Sequence, residues 1–369
     1  MAAMAEGWTR RDWLATAAVG GIAFPGGART ATTGGRARLS LNENAFGPSP
    51  LVRQAVLKQL QALPRYVGDE ARALEQQIAA KEGVFAGQII LGEILDVLGL
   101  QLALRGPAGG EFLYSEPGYT ALVDAVAPGG GVAVGIPLNA KLENDLPAFA
   151  ARMGPRTRAL YLVNPHNPSG TVSDTGTFRS FVRDASRRAT VIVDEAYLEF
   201  EPDFADRTAV SLVQDGADVI VFRTFAKIHG LAGLAIGYAV APTGLAGELK
   251  RKGLGEPHGL NRIALAAASA SLRDQAHLDV VRAKVIAERV LWHRLLDHLK
   301  RPRSDSRGNF VFFDTGRPHD GFAAAMAFEG IDIARAFPPL ATWARISIGL
   351  PDENARARAA VGSILGEAR

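Results

Sequence analysis

Apolar and polar positions along the chain alternate between two periods from Leu39 onward. Leu51–Leu63 and Ala71–Lys81 carry apolar residues at helical spacing, and His277–Lys300 runs without Pro or Gly as one long helix. Between them lie short β-rich runs at Glu111–Tyr114, Val132–Leu138, Ala159–Val163, Thr190–Val193 and Asp218–Phe222, several apolar without alternation. Continuous apolar strands separated by helices indicate a sheet covered on both faces, usually parallel. Further on, Asn309–Asp314, Ile331–Ala334 and Ala344–Ile348 read as strands, with helices around Asp320–Glu329 and Asp352–Leu365. The expected architecture is α/β, a large domain with a mostly parallel sheet covered by helices, followed by a smaller α+β domain. The expected bounds are an N-terminal arm over 37–65 contributing to the small domain, a large domain over 66–260, and a small domain over 261–369.

Ahead of that pattern, Thr9-Arg10-Arg11-Asp12-Trp13-Leu14 precedes a short apolar stretch, Ala15 to Phe24, and then Pro25-Gly26-Gly27-Ala28. A basic pair, a weakly hydrophobic run and small residues have the layout of an export signal, and the twin arginine resembles the Tat type. The run is too short for a stable membrane anchor. Residues 1–36 are therefore read as a Tat-like signal and linker, with a periplasmic destination and cytoplasmic residence as the alternative.

With 369 residues the chain is long enough for a sizeable core, and 47% hydrophobic with 21% charged residues is ordinary for a globular protein. A formal charge of +3, with basic residues scattered, gives no nucleic-acid signature. The absence of cysteine excludes disulfides and thiolate chemistry, and the seven histidines show no metal-ligand spacing, so no metal is expected.

Four segments at strand ends carry the chemistry. Asn164-Pro165-His166-Asn167-Pro168-Ser169-Gly170 follows one strand, and Asp194-Glu195-Ala196-Tyr197 ends the next. Arg223-Thr224-Phe225-Ala226-Lys227 ends a third, and Gly230 to Tyr238 follows it. Each alone is unremarkable, as turn, helix cap or surface lysine. Ligands of open α/β sheets sit at the carboxyl ends of strands, which is a first indication that the four belong to one site.

In that order, and with Leu39–Pro50, Arg65-Tyr66, Glu116-Pro117-Gly118-Tyr119, Gly308-Asn309-Phe310 and Arg345 to Gly349, the sequence resembles the histidinol-phosphate aminotransferase branch of the fold type I (class I/II) aminotransferases, which depend on pyridoxal 5′-phosphate (PLP). The resemblance implies a homodimer with shared active sites that moves an amino group between an L-amino acid and a 2-oxo acid. It implies that Lys227 forms a Schiff base with PLP and then acts as acid and base, with Asp194 facing the pyridine nitrogen. Asn167 and Tyr197 would bind the phenolic oxygen, Tyr119 would stack on the ring, and Thr224, Gly92 and Glu93 would lie at the phosphate. Tyr66 would reach the phosphate of the neighbouring subunit. Arg345 would clamp the substrate carboxylate, with Arg335, Asn44 and Asn309 also on the substrate side. If the protein is exported, a free amino acid is expected rather than histidinol phosphate.

Departures from the family pattern gather at the phosphate. Gly92 runs directly into Glu93-Ile94-Leu95 where relatives carry about four more residues, Ala226 stands where they have Ser, and Ala235 where they have Arg. Three explanations stay open: a cup rebuilt from residues such as His229 and Arg262, retention by the covalent link alone, or a non-catalytic binding protein. Decarboxylation, racemisation or elimination with PLP also remains compatible with the scaffold.

Overall fold

A run of apolar strands long enough to be buried on both faces forms the centre of the fold. The computed structural model describes residues 35–366, so the export reading falls outside the described residues. Seven strands make one sheet: β2 (Ile89–Leu91), β3 (Glu111–Glu116), β4 (Val132–Pro137), β5 (Thr157–Val163), β6 (Thr190–Asp194), β7 (Val219–Thr224) and β8 (Gly237–Val240). Their spatial order is β2-β8-β7-β6-β5-β3-β4. Strands β3 to β7 run parallel, while β8 is antiparallel to both β7 and β2. All residues of β6, β7 and β8 are buried, as expected of strands sandwiched between helix layers.

Two hydrophobic clusters cover the sheet's faces. One includes Leu74, Ile78, Leu160, Val191 and Val221, the other Leu98, Phe112, Tyr161, Ile192 and Ile220; neighbouring residues of one strand divide between them. A further core is built on the C-terminal part, where β9 (Phe310–Asp314) pairs antiparallel with β11 (Trp343–Ser347). The arm strand β1 (Ala37–Leu39) pairs in parallel with β10 (Ile331–Ile333), which carries the start of the described chain across to that part. Helix Arg262–Arg273 buries Leu265, Ala268 and Leu272 in the first cluster, whereas helix Gln275–His298 buries Val281, Trp292 and Leu296 in the C-terminal core. The change of core thus falls at Asp274, whose carboxylate caps the second helix through the His277 amide.

The short strands β1, β2 and β8 are absent from the sequence reading. Three or four residues carry too little periodicity to register, and β8 begins at a glycine whose added Cβ would sit 2.7 Å from the Arg223 carbonyl oxygen. Among the described residues no helix is long and apolar enough to cross a membrane.

Candidate active site

The carboxyl ends of β5, β6 and β7 bring the sequence motifs to one place. Asp194 closes β6 and is buried; its carboxylate accepts the Tyr161 hydroxyl at 2.7 Å and the Ala196 amide at 3.0 Å. Burial raises its pKa to about 6, against the lowering effect of those two hydrogen bonds, with the charge of Glu93 adding to the rise. A buried carboxylate held high in this way is stabilised by a cationic N–H brought against it.

Tyr197, three residues on, is buried edge-on to Phe310 at 5.1 Å. Its hydroxyl oxygen accepts the side-chain amides of Asn42 at 3.2 Å and Asn167 at 3.4 Å. Lys227 follows β7 on a half-buried loop; its Nζ donates to the Leu41 carbonyl at 3.4 Å and stands 5.5 Å from the Tyr197 ring centre. That loop packs closely on the arm. Gly230 has φ +72 and an added Cβ there would meet the Gly47 carbonyl carbon at 2.7 Å, so only glycine fits.

Arg345, on β11, completes the cluster. It donates to Asn167 Oδ1 at 2.5 Å and to the Ser40 carbonyl at 2.8 Å, and its guanidinium packs on Phe310 and Phe337 at 5.5 and 5.1 Å. It is 7% exposed, its Nε has no hydrogen-bond partner, and it forms no ion pair with a carboxylate of the described residues. Burial lowers its pKa to about 10. Arg335 stacks on the same Phe337 at 4.7 Å, close enough for its charge to add to that lowering.

The segment Ser40–Leu41–Asn42 therefore touches three of these four groups: Ser40 meets Arg345, Leu41 meets Lys227, and Asn42 meets Tyr197. Asn42 is the residue the sequence reading lacks. It holds a positive φ of 55, fixed by reciprocal hydrogen bonds with Ser347 at 2.8 and 2.9 Å. The expected Asn44 instead ties the arm to the Ile228 carbonyl at 2.8 Å, and Asn309 clamps the Asn42 and Glu43 carbonyls at 3.0 and 3.2 Å. The side chain of Tyr119 is partly exposed, and that of Tyr66 is 86% exposed and edge-on to His258.

The opposite flank of Lys227 has a different character. The Gly92 amide is occupied by the Gly237 carbonyl at 2.8 Å, and the Ala226 amide by Thr224 Oγ1 at 2.9 Å. Thr224 Oγ1 in turn donates to the Glu93 carboxylate. Neither proposed substitute for a cup is available there. His229 is buried between Ser271 Oγ (2.6 Å) and Glu199 (3.1 Å), and Arg262 is paired with Glu70 and the Tyr66 carbonyl. Ala235 adopts a left-handed φ of 45 and offers only a methyl group.

The fold and this cluster define a fold type I PLP-dependent transferase, and comparison with known proteins gives the family. The sequence matches the family Aminotransferase class I and II over residues 37–361, and the chain belongs to it, in the branch of the histidinol-phosphate aminotransferases. It is 31% identical over 334 residues to a histidinol-phosphate aminotransferase of Limosilactobacillus fermentum, covering 89% of this chain and 91% of that one. It is 34% identical over 325 residues to an aromatic amino acid aminotransferase of Cutibacterium acnes, covering 87% and 90%. The crystal structure of a Sinorhizobium meliloti histidinol-phosphate aminotransferase in complex with pyridoxal 5′-phosphate superposes with a TM-score of 0.81 at 30% identity, covering 90% of this chain and 92% of that one.

The protein is accordingly a PLP-dependent aminotransferase. Its residues fit one end of that cofactor. A lysine amine, a buried carboxylate of raised pKa and a tyrosine with two amide donors match an aldehyde, a pyridine nitrogen and a ring hydroxyl. The other flank, where the Thr224 hydroxyl donates to the Glu93 carboxylate, offers an acid and not the donors that a phosphate dianion requires.

Proposed function

We propose that the chain exchanges an amino group between a free L-amino acid with a planar side chain and a 2-oxo acid, and that Arg345 holds the carboxylate of each. The observation that carries this is the buried, ion-pair-free guanidinium of Arg345 with its unpartnered Nε. A buried cation without a counter-charge is costly, and an entering carboxylate relieves that cost with charge-assisted hydrogen bonds. Phe310 and Phe337 against the same guanidinium favour a flat apolar side chain nearby. The names of the relatives, histidinol-phosphate and aromatic amino acid aminotransferases, both point to substrates with a ring.

When bound, PLP supplies an electron sink that makes the substrate Cα–H acidic. Asp194 would keep the pyridine nitrogen protonated, because its buried carboxylate is stabilised by a positive partner. Tyr197 and its two amide donors orient the ring hydroxyl. Lys227 would hold the cofactor aldehyde through its amine and, when free, would serve as the acid and base for the proton transfer that separates transamination from other outcomes. Arg345 would hold the substrate carboxylate and so fix the orientation of the substrate in the site.

Mixing the enzyme loaded with PLP with single amino acids and no oxo acid tests the reading. Conversion to the pyridoxamine form is expected with phenylalanine, tyrosine or histidine faster than with aspartate, glutamate or histidinol phosphate. A preference for aspartate or histidinol phosphate would sink the substrate assignment.

The same reading includes a homodimer with Tyr66 reaching the neighbouring site. The exposed side chains of Leu57, Leu60, Leu63 and Tyr66 support it, since they form an apolar stretch along the arm. Light scattering that gives a monomeric mass would refute it. Periplasmic delivery through Arg10-Arg11 is tested by fractionating cells that express the Arg10→Lys, Arg11→Lys double variant, which is expected to stay in the cytoplasm.

A further inference from the structure

The covalent plan of pyridoxal phosphate fixes which protein groups face its phosphate arm. The aldehyde carbon lies between the ring hydroxyl on one side and the phosphate-bearing methylene on the other. Groups at the hydroxyl and groups at the arm must therefore lie on opposite sides of the lysine. Here Asn167 and Tyr197 stand at the β5 and β6 ends, on one side of Lys227. Thr224 ends β7 itself, and Gly92 and Glu93 follow β2, which lies beyond β8 on the side of β7 away from β6. The arm flank thus carries the Glu93 carboxylate on the Thr224 hydroxyl, with the Gly92 and Ala226 amides already occupied.

We propose that Glu93 is a cofactor-selectivity residue, which disfavours the phosphate arm and lets the phosphate-free aldehyde pyridoxal enter the same site with comparable affinity. The inference rests on the placement of the cofactor on Lys227. Two charges of the same sign on one hydroxyl compete for its single proton, because Thr224 Oγ1 can donate only once. A phosphate that took this donor would leave the Glu93 carboxylate beside a dianion. Pyridoxal carries a neutral hydroxymethyl group in place of the phosphate and meets no such repulsion. It is also able to donate its own hydroxyl to Glu93. The influence of Glu93 on Asp194 places its charge within reach of the ring as a whole, so the two aldehydes must be compared to isolate the arm.

Full-length protein freed of cofactor is titrated separately with pyridoxal phosphate and with pyridoxal, following visible absorbance and tryptophan fluorescence. For the unaltered chain the two dissociation constants are expected within about tenfold of each other. Glu93→Gln is expected to tighten pyridoxal phosphate at least tenfold while leaving pyridoxal within about twofold; Glu93 is exposed, so the fold tolerates the change. An unchanged or weaker constant for pyridoxal phosphate in Glu93→Gln would overturn the proposal. Equal tightening of both aldehydes would overturn it too, since the effect would then come through the ring. Lys227→Ala keeps the two questions apart. Loss of the visible band with either aldehyde is expected, and a band that persists refutes the cofactor placement itself rather than the role of Glu93.

Discussion

The two flanks of Lys227 are built on opposite principles. On the β5–β6 side, donors converge on acceptors whose charge or proton matters: two amides on Tyr197, a hydroxyl and an amide on Asp194, and a guanidinium on Asn167. On the β7–β8–β2 side, the available donors are turned inward to the sheet or to Thr224, and an acid receives the last of them. On the first side the buried Nε of Arg345 is left without a partner, and on the second the Gly92 and Ala226 amides and the Thr224 hydroxyl all have one. The difference is one of charge preference. The first flank suits a group that changes protonation during reaction, and the second disfavours an additional anion.

The largest effect belongs to the residue that divides the flanks. Lys227→Ala removes both the covalent anchor and the base, and turnover is expected to fall by about 10³-fold or more. Retained turnover in single-turnover assays would show that the chemistry lies elsewhere. Next in size is the pH dependence that Asp194 imposes on the cofactor-free fold. Its pKa of about 6 lies above the ordinary value of 3.8, so between those limits the folded chain holds a proton that the unfolded chain has released. Stability from this group is therefore fully present below about pH 4 and is lost as pH rises to about 6, a fall of about 3 kcal/mol. Chemical denaturation of the unaltered chain and Asp194→Asn across that range checks it; parallel curves would remove the carboxylate from the account.

Much of this comparison was legible before any fold was known. Strand ends carrying Asn167, Asp194, Tyr197 and Lys227 are readable because the strands are continuous apolar runs and the loops begin with chemically distinctive residues. The depletion at Gly92–Glu93, Ala226 and Ala235 was legible for the same reason. What sequence did not show was where committed side chains go. His229 and Arg262 look available as letters, yet Glu199, Ser271 and Glu70 take them through contacts 30 to 192 residues away. Asn42 is not distinguishable from Asn44 in the sequence, because its role depends on a left-handed backbone that Ser347, 305 residues distant, holds in place.

Arg345 gives a sharper measure of the donor-rich flank. Arg345→Gln preserves a side-chain amide that can reach Asn167 but removes the charge. A charge-assisted contact contributes about 1.5–3 kcal/mol, so kcat/KM for an amino acid is expected to fall by about 10- to 100-fold. The visible absorbance of the bound cofactor should stay unchanged, because the side chain meets the substrate rather than the ring. If absorbance is lost along with activity, Arg345 holds up the first flank and is not the substrate's partner.

The smallest effect separates two asparagines only two positions apart. Asn42→Gly deletes one of the two amides on Tyr197 while keeping a residue that accepts a positive φ, so backbone strain does not enter the comparison. One neutral hydrogen bond is worth about 1 kcal/mol, which corresponds to about a fivefold loss in kcat if Tyr197 needs both donors. Asn44→Ala removes the tie from the arm to the Ile228 carbonyl, a contact with backbone and not with a reacting group. It is expected to lower stability by about 1 kcal/mol while changing kcat by less than about twofold. The two variants thus separate orientation at the ring from attachment of the arm. Equal losses of kcat would mean that Asn42 acts by holding the arm, and the two-donor arrangement on Tyr197 would lose its functional meaning.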